Sequence, residues 1–188
     1  MKNDYKAIKT KKELKEWLDY ELKRYNFNKS SFKQKIGLAF RINEKSILVA
    51  HQILLRKGEY YLNTGKKIRF ILAKYRLRKI QYKYGLHIPY NVFGKGLKIM
   101  HVLPILVNEK VKAGENCVLH GNTSIVAAHG DFAPTLGNGV IVCVGAIILG
   151  GIKIADGVTV GAGAVVVKDA ETKNSTLVGM PAHVVNKE

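Results

Sequence analysis

Cysteine, proline and tryptophan are scarce in this chain: two, four and one among 188 residues. Two thiols, Cys117 and Cys143, cannot build a disulfide framework or a paired-thiolate metal centre. Long hydrophobic runs are missing too. The longest, residues 141–149, falls well short of the roughly 20 apolar residues that cross a bilayer. The opening MKNDYKAIKTKKELKEW has no apolar core of the secretory kind. These absences lead to the expectation of a cytoplasmic protein that uses no metal.

Acidic residues are scarce only in one half. Residues 1–88 hold 23 Lys and Arg against 7 Asp and Glu, whereas residues 89–188 hold 8 against 7, so nearly all of the net charge of +17 belongs to the first half. No helix-turn-helix, zinc or RNP pattern accompanies these lysines, which argues against nucleic acid as a partner. Basic helices with interleaved tyrosines suit an anionic membrane surface or a lipid-linked acidic substrate better, with peripheral attachment at the inner membrane face. A plain solvated lysine-rich face is the alternative.

What is abundant is a repeat. From Leu136 an apolar residue returns every sixth position through Val142, Ile148, Ile154, Val160 and Val166, and small or branched residues fill the fourth place after each. A helix repeats near 3.6 and a strand at 2.0, so a period of six means that three-sided coils are stacked into a β-helix. The units LGNGVI, VCVGAI, ILGGIK, IADGVT and VGAGAV place glycine or asparagine where corners need positive φ. Backward, Phe93 and Ile99 keep the period, as do Val107, Ala113, Leu119 and Ile125, with a two-residue slip between the two sets. A second break, 126–135, reads as a loop thrown out from a corner. Cys117 falls on an inward position and should fill space there.

The first half reads as helical. Thr10 and Glu13 form a capping box ahead of a stripe of Leu14, Trp17, Leu18, Glu21, Leu22 and Tyr25. A second helical region runs from about Ser31 to Arg56, broken near Asn43. A third carries Ile68, Ile71, Leu72, Tyr75 and Tyr82 and stops at Gly85. The expected organisation is a basic α-helical domain over 1–86 and a β-helix domain over 87–188 with its loop at 126–135.

Three histidines stand where chemistry is possible. Ile99 and Leu119 occupy equivalent places one 18-residue turn apart once the slip is counted, so His101 and His120 should lie on adjacent coils, offset by one residue. His129 sits in the loop. A neutral imidazole can take a proton from a hydroxyl as that hydroxyl attacks. His51 reads as a packing residue, and His87 and His183 stand at the ends of the coil region.

GKGLKIMH, VGAGAVVVKD and VGMPAHVV, in this order and separated by coils, resemble the serine acetyltransferase branch of the left-handed hexapeptide-repeat acyltransferases, and especially its relatives in surface-polysaccharide clusters. The resemblance covers about residues 86–185. It implies a homotrimer with acetyl-CoA clefts between prisms, His101 as general base and Glu109 as a matching acidic position, with His120 or His129 assisting. It also implies Val144, Gly145, Ala162 and Gly163 along the pantetheine arm and Lys168 near the nucleotide.

Two departures shape the acceptor. The family has an aspartate where this chain has Met100, and Asp-Arg-His-Pro where this chain has Asp131, Phe132, Ala133 and Pro134. Met100 and Phe132 cannot pair the charges of an amino acid, and buried unpaired charge is costly. The expectation is therefore an acetyl-CoA-dependent O-acetyltransferase acting on a carbohydrate acceptor, a sugar of a bacterial surface polysaccharide or its precursor. Met100, His129, Asp131 and Phe132 would line its site. Serine O-acetylation in cysteine biosynthesis is the second reading, and a non-catalytic β-helix scaffold the third.

Overall fold

A computed structural model describes residues 7–28, 30–128 and 132–185. Four helices come first: α1 (Lys11–Arg24), α2 (Phe32–Phe40), α3 (Glu44–Asn63) and α4 (Lys67–Tyr84). Fourteen short strands follow among the described residues. They are β1 (Leu86–His87), β2 (Lys98–Ile99), β3 (Ile105–Val107), β4 (Lys112–Ala113), β5 (Val118–Leu119), β6 (Thr123–Val126) and β7 (Thr135–Leu136). The chain continues through β8 (Ile141–Val142), β9 (Ile147–Leu149), β10 (Lys153–Ile154), β11 (Thr159–Val160), β12 (Val165–Val166), β13 (Thr176–Gly179) and β14 (Ala182–Val185).

The strands form the three faces of a prism. One face runs β1-β3-β6-β9-β12, a second β4-β7-β10 and a third β2-β5-β8-β11-β13-β14. All neighbours are parallel except the final pair, β13 and β14, where an antiparallel hairpin ends the third face. The six-residue period holds: Leu136, Val142, Ile148, Ile154, Val160 and Val166 all point into the core, as does every fourth-place residue from Val140 to Ala170. Ile99 pairs with Leu119 and Phe93 with Ala113, so the two-residue slip lies where the spacing places it. Leu119 then pairs with Val142, and Val142 in turn with Val160. The excess over the ordinary turn is the excursion after β6, which leaves the ladder and rejoins it at β7.

The helix caps follow local chemistry. Thr10 and Glu13 make the reciprocal capping box of α1, and Asn43, where the break is expected, caps α3. That helix continues to Asn63, beyond the expected end near Arg56, because its second half buries Gly58, Glu59 and Tyr60. In α4 the apolar residues named from sequence, Ile68, Ile71, Leu72, Tyr75 and Tyr82, are exposed. Ala73, Leu77 and Ile80 carry its packing.

One apolar cluster runs from Leu22, Leu48, Val49 and Leu77 through Leu86, Val92 and Phe93 and along the prism to Leu177. The helices thus cover the open end of the first coil, whose inward row would otherwise meet water. Polar ties fix the join. Tyr25 Oη accepts from Ile99 N at 2.7 Å, Arg24 donates to the Gly96 carbonyl, and Tyr20 Oη donates to Asn116 Oδ1 at 2.7 Å.

Candidate active site at one edge of the prism

The prism has an edge after each face, and the expected site residues divide between two of them. Corners that leave the third face for the first stack as Met100 to Pro104, His120 to Asn122, Cys143 to Ala146, and Gly161 to Ala164. This first edge carries Met100, His101, His120, Val144, Gly145, Ala162 and Gly163. Backbone bonds join the corners in order: Asn122 N donates to Pro104 O, Gly145 N to Gly121 O, and Gly163 N to Val144 O.

The two histidines meet as the register requires. Since Ile99 pairs with Leu119, His101 and His120 leave the third face at the same corner of adjacent coils, and Leu103 of the longer upper corner lies against Gly121. Burial lowers the His120 pKa, and the charge of His101 nearby lowers it further. Both effects favour the neutral imidazole at His120, while Thr123 Oγ1 donates to its carbonyl at 3.0 Å and steadies the corner. His101 is open to solvent, its side chain 56 % exposed.

A carboxylate joins them that the sequence reading missed. Glu44, the first residue of α3, brings Oε1 within 3.5 Å of His101 Nδ1, and the same oxygen accepts from Val102 N at 2.7 Å. A first-turn glutamate is favoured at a helix N-terminus, a local signal legible in the sequence. Its partner, 57 residues further along the chain, was not legible.

Beyond the histidines the edge becomes a row of bare corners. Gly145 and Gly163 adopt φ of 72° and 67°. A methyl group at Gly163 would meet nothing within 4 Å, so the backbone there lies open to an extended ligand. Val144, Ala162 and Gly163 are exposed beside it.

The remaining candidates lie on the second edge, between the first face and β4, β7 and β10. Glu109 follows β3 and lines a cleft with Arg78, Tyr82, His87 and Tyr90. Phe132 belongs to the excursion after β6, whose ends are tied by Ala128 N donating to Phe132 O at 3.1 Å, and its ring is exposed. Lys168 follows β12 and is exposed. A single chain therefore does not bring Glu109, Phe132 or Lys168 to His101. His129 and Asp131 lie outside the described residues.

Two further groups, Cys117 and His51, lie inside the protein away from both edges. Cys117 is buried, with its thiol pushed up to about 12 by desolvation, and His51 is buried on α3. Among the described residues no group of three or more His, Cys, Asp or Glu is placed to hold a metal ion, and no helix is long and apolar enough to cross a membrane.

Comparison with known proteins gives a consistent family of relatives. No family model matches the chain. A serine acetyltransferase of Helicobacter pylori is 37 % identical over 100 residues, which are 50 % of this chain and 57 % of that one. The chain spans about half the length of the curated relatives it matches. Among solved structures, serine acetyltransferase of Neisseria gonorrhoeae in complex with serine superposes with a TM-score of 0.67 at 25 % identity, covering 94 % of this chain and 70 % of that one. Serine acetyltransferase of Brucella abortus in complex with coenzyme A shares the fold with a TM-score of 0.57 at 18 % identity, over 94 % of this chain and 69 % of that one.

These relatives overturn the expectation of a sugar acceptor. That reading rested on what Met100 and Phe132 cannot pair, and it treated the prism as the sole source of charge. The helical half also borders this corner, through Glu44 at His101 and Val102, so the residues of the prism do not alone decide the acceptor.

Proposed function

Because the chain is a serine acetyltransferase-like hexapeptide-repeat protein with that branch's left-handed β-helix, we propose that it is an O-acetyltransferase carrying acetyl from acetyl-CoA to the hydroxyl of serine. The observation that carries this reading is the pair His101 and His120 on adjacent corners, at the head of an open row of glycine corners.

His101 Nε2 takes the proton of the acceptor hydroxyl as its oxygen attacks the thioester carbonyl. The C–S bond then breaks, and the imidazolium returns the proton to the departing thiolate, so that the products are the O-acetyl ester and coenzyme A. The neutral His120 beside it can donate a hydrogen bond or accept one, which suits a group that holds the acceptor or the carbonyl oxygen. The extended arm of acetyl-CoA runs along the edge past Val144, Gly145, Ala162 and Gly163, where backbone groups are uncovered.

The division of residues between two edges supports a homotrimer. Packing three prisms around an axis brings the second edge of one protomer, with Glu109, Phe132 and Lys168, toward the first edge of the next. In that arrangement Phe132 covers a neighbour's site and Lys168 reaches the nucleotide phosphates.

The test is release of coenzyme A from acetyl-CoA with free serine as acceptor. His101→Ala should lower turnover roughly 100-fold or more while circular dichroism and mass in solution stay unchanged. Wild-type turnover in that variant removes His101 as the base, and absence of any serine-dependent thiol release removes the proposed acceptor.

A further inference from the structure

We propose that Glu44 is the positioning residue of His101: its carboxylate, delivered by α3, keeps the proton on Nδ1 and leaves Nε2 free as the base. The inference deepens the acetyl-transfer reading above and rests on it for its kinetic part.

Three observations place the group. Asn43 caps α3 by accepting from Ser46 N at 2.9 Å, which fixes where the helix begins. Glu44, the next residue, is then held to the histidine's own corner, because Oε1 accepts from Val102 N at 2.7 Å, one residue beyond His101. From that anchor Oε1 lies 3.5 Å from His101 Nδ1. A carboxylate is a pure acceptor, so it selects the tautomer that carries the proton on the facing nitrogen.

The choice of tautomer matters because a neutral imidazole has one basic nitrogen. With Nδ1 protonated, Nε2 holds the free pair that removes the acceptor's proton, and the resulting imidazolium sits against a negative charge. The group facing His101 from the coil beneath is His120, and burial lowers its pKa, which favours the neutral ring. It therefore adds no competing positive charge, and Glu44 is the charge that decides the orientation. Both side chains are about half exposed, at 56 % and 51 %, so the contact is open to a substrate.

The test joins an activity-independent measurement to a kinetic one. Glu44→Gln keeps an oxygen for Val102 N and removes the charge. Nitrogen-15 NMR of the ligand-free protein, recorded well above the ordinary imidazole titration range, should show His101 mainly protonated on Nδ1 in the wild type and shifted toward the Nε2–H form in E44Q. In the acetyl-transfer assay E44Q should lose roughly 10- to 100-fold in kcat, with little change in KM for either substrate, and Glu44→Asp should recover part of the loss. An unchanged tautomer in folded E44Q overturns the proposal whether or not the protein acetylates serine. A rise in KM for serine at unchanged kcat also overturns it, since Glu44 then binds the acceptor and does not orient the base. If the wild-type protein transfers no acetyl group while the tautomer shift is present, the function fails and the pairing of Glu44 with His101 stands.

Discussion

Two clusters of ionisable groups join the helices to the prism, and they are built in opposite ways. In the first, Arg56 of α3 is fully buried and donates to Glu21 at 2.8 Å, to Glu59 at 2.8 Å, and to the carbonyls of Phe93 and Gly94. Glu21 also accepts from Gly96 N at 2.9 Å and from Gln52 at 2.7 Å. In the second, Glu44 and His101 are half exposed and share one 3.5 Å approach. Burial opposes the charge of Arg56, and the two carboxylates more than restore it. A cluster whose bonds are all spent on its neighbours can hold geometry and do little else. One that leaves an imidazole nitrogen open can react, provided something rigid aims it.

The rigid support is the same helix. Arg56 lies twelve residues after Glu44 on α3, about 18 Å along its axis, so the buried cluster clamps one end of the helix to the first coil while the other end presents Glu44 to His101.

The contrast breaks most visibly at Arg56. Arg56→Leu leaves the Glu21 and Glu59 carboxylates buried without their cation, and urea unfolding should show a loss of about 3–5 kcal/mol. Glu44→Gln should shift the same curve by less than about 0.5 kcal/mol. Replacing all three buried partners together, as E21Q, R56M and E59Q, should cost less than R56L alone. Equal losses for R56L and E44Q would erase the distinction between a structural cluster and a reactive one.

His51 sharpens the comparison, for it is an imidazole on α3 in the opposite environment from His101. Burial lowers its pKa to about 4. Above the ordinary value near 6.5 both folded and unfolded chains hold it neutral. As pH falls below that value the unfolded chain takes a proton that the folded chain refuses, so stability declines down to about pH 4. The full contribution is about 3 kcal/mol. Urea midpoints measured across this window should fall more steeply in the wild type than in His51→Leu, and parallel slopes would show that His51 is not held neutral.

How much of this was legible follows from where each signal is stored. The prism's inward rows, the slip before Val107 and the offset of His101 from His120 are written in a local period, and Ile99 pairing with Leu119 is its direct consequence. The α1 capping box is equally local. Glu44 and the Arg56 cluster depend on residues 37 to 75 positions apart meeting across the join, and nothing in the spacing of charged residues encodes that meeting. The exposed apolar side of α4 went unread for a related reason: its pattern is helical on both sides, and packing alone decides which side is covered.

A smaller effect than at Arg56 or His51 lies at the third tie between the halves. Tyr20 of α1 donates its hydroxyl to Asn116 Oδ1 at 2.7 Å, and Asn116 holds a corner of the prism at φ 60°. Tyr20 is 41 % exposed, so water competes for both partners. Tyr20→Phe should therefore cost only about 0.5–1 kcal/mol, the usual net worth of one neutral hydrogen bond. Asn116→Gly preserves the positive φ while deleting the acceptor, so a double-mutant cycle of Y20F with N116G separates the bond from the corner. A coupling of about 0.5 kcal/mol is expected. A coupling as large as the loss in R56L would mean that an exposed tie clamps the halves as strongly as the buried one, and the Arg56 cluster would lose its special place in holding α3 to the prism.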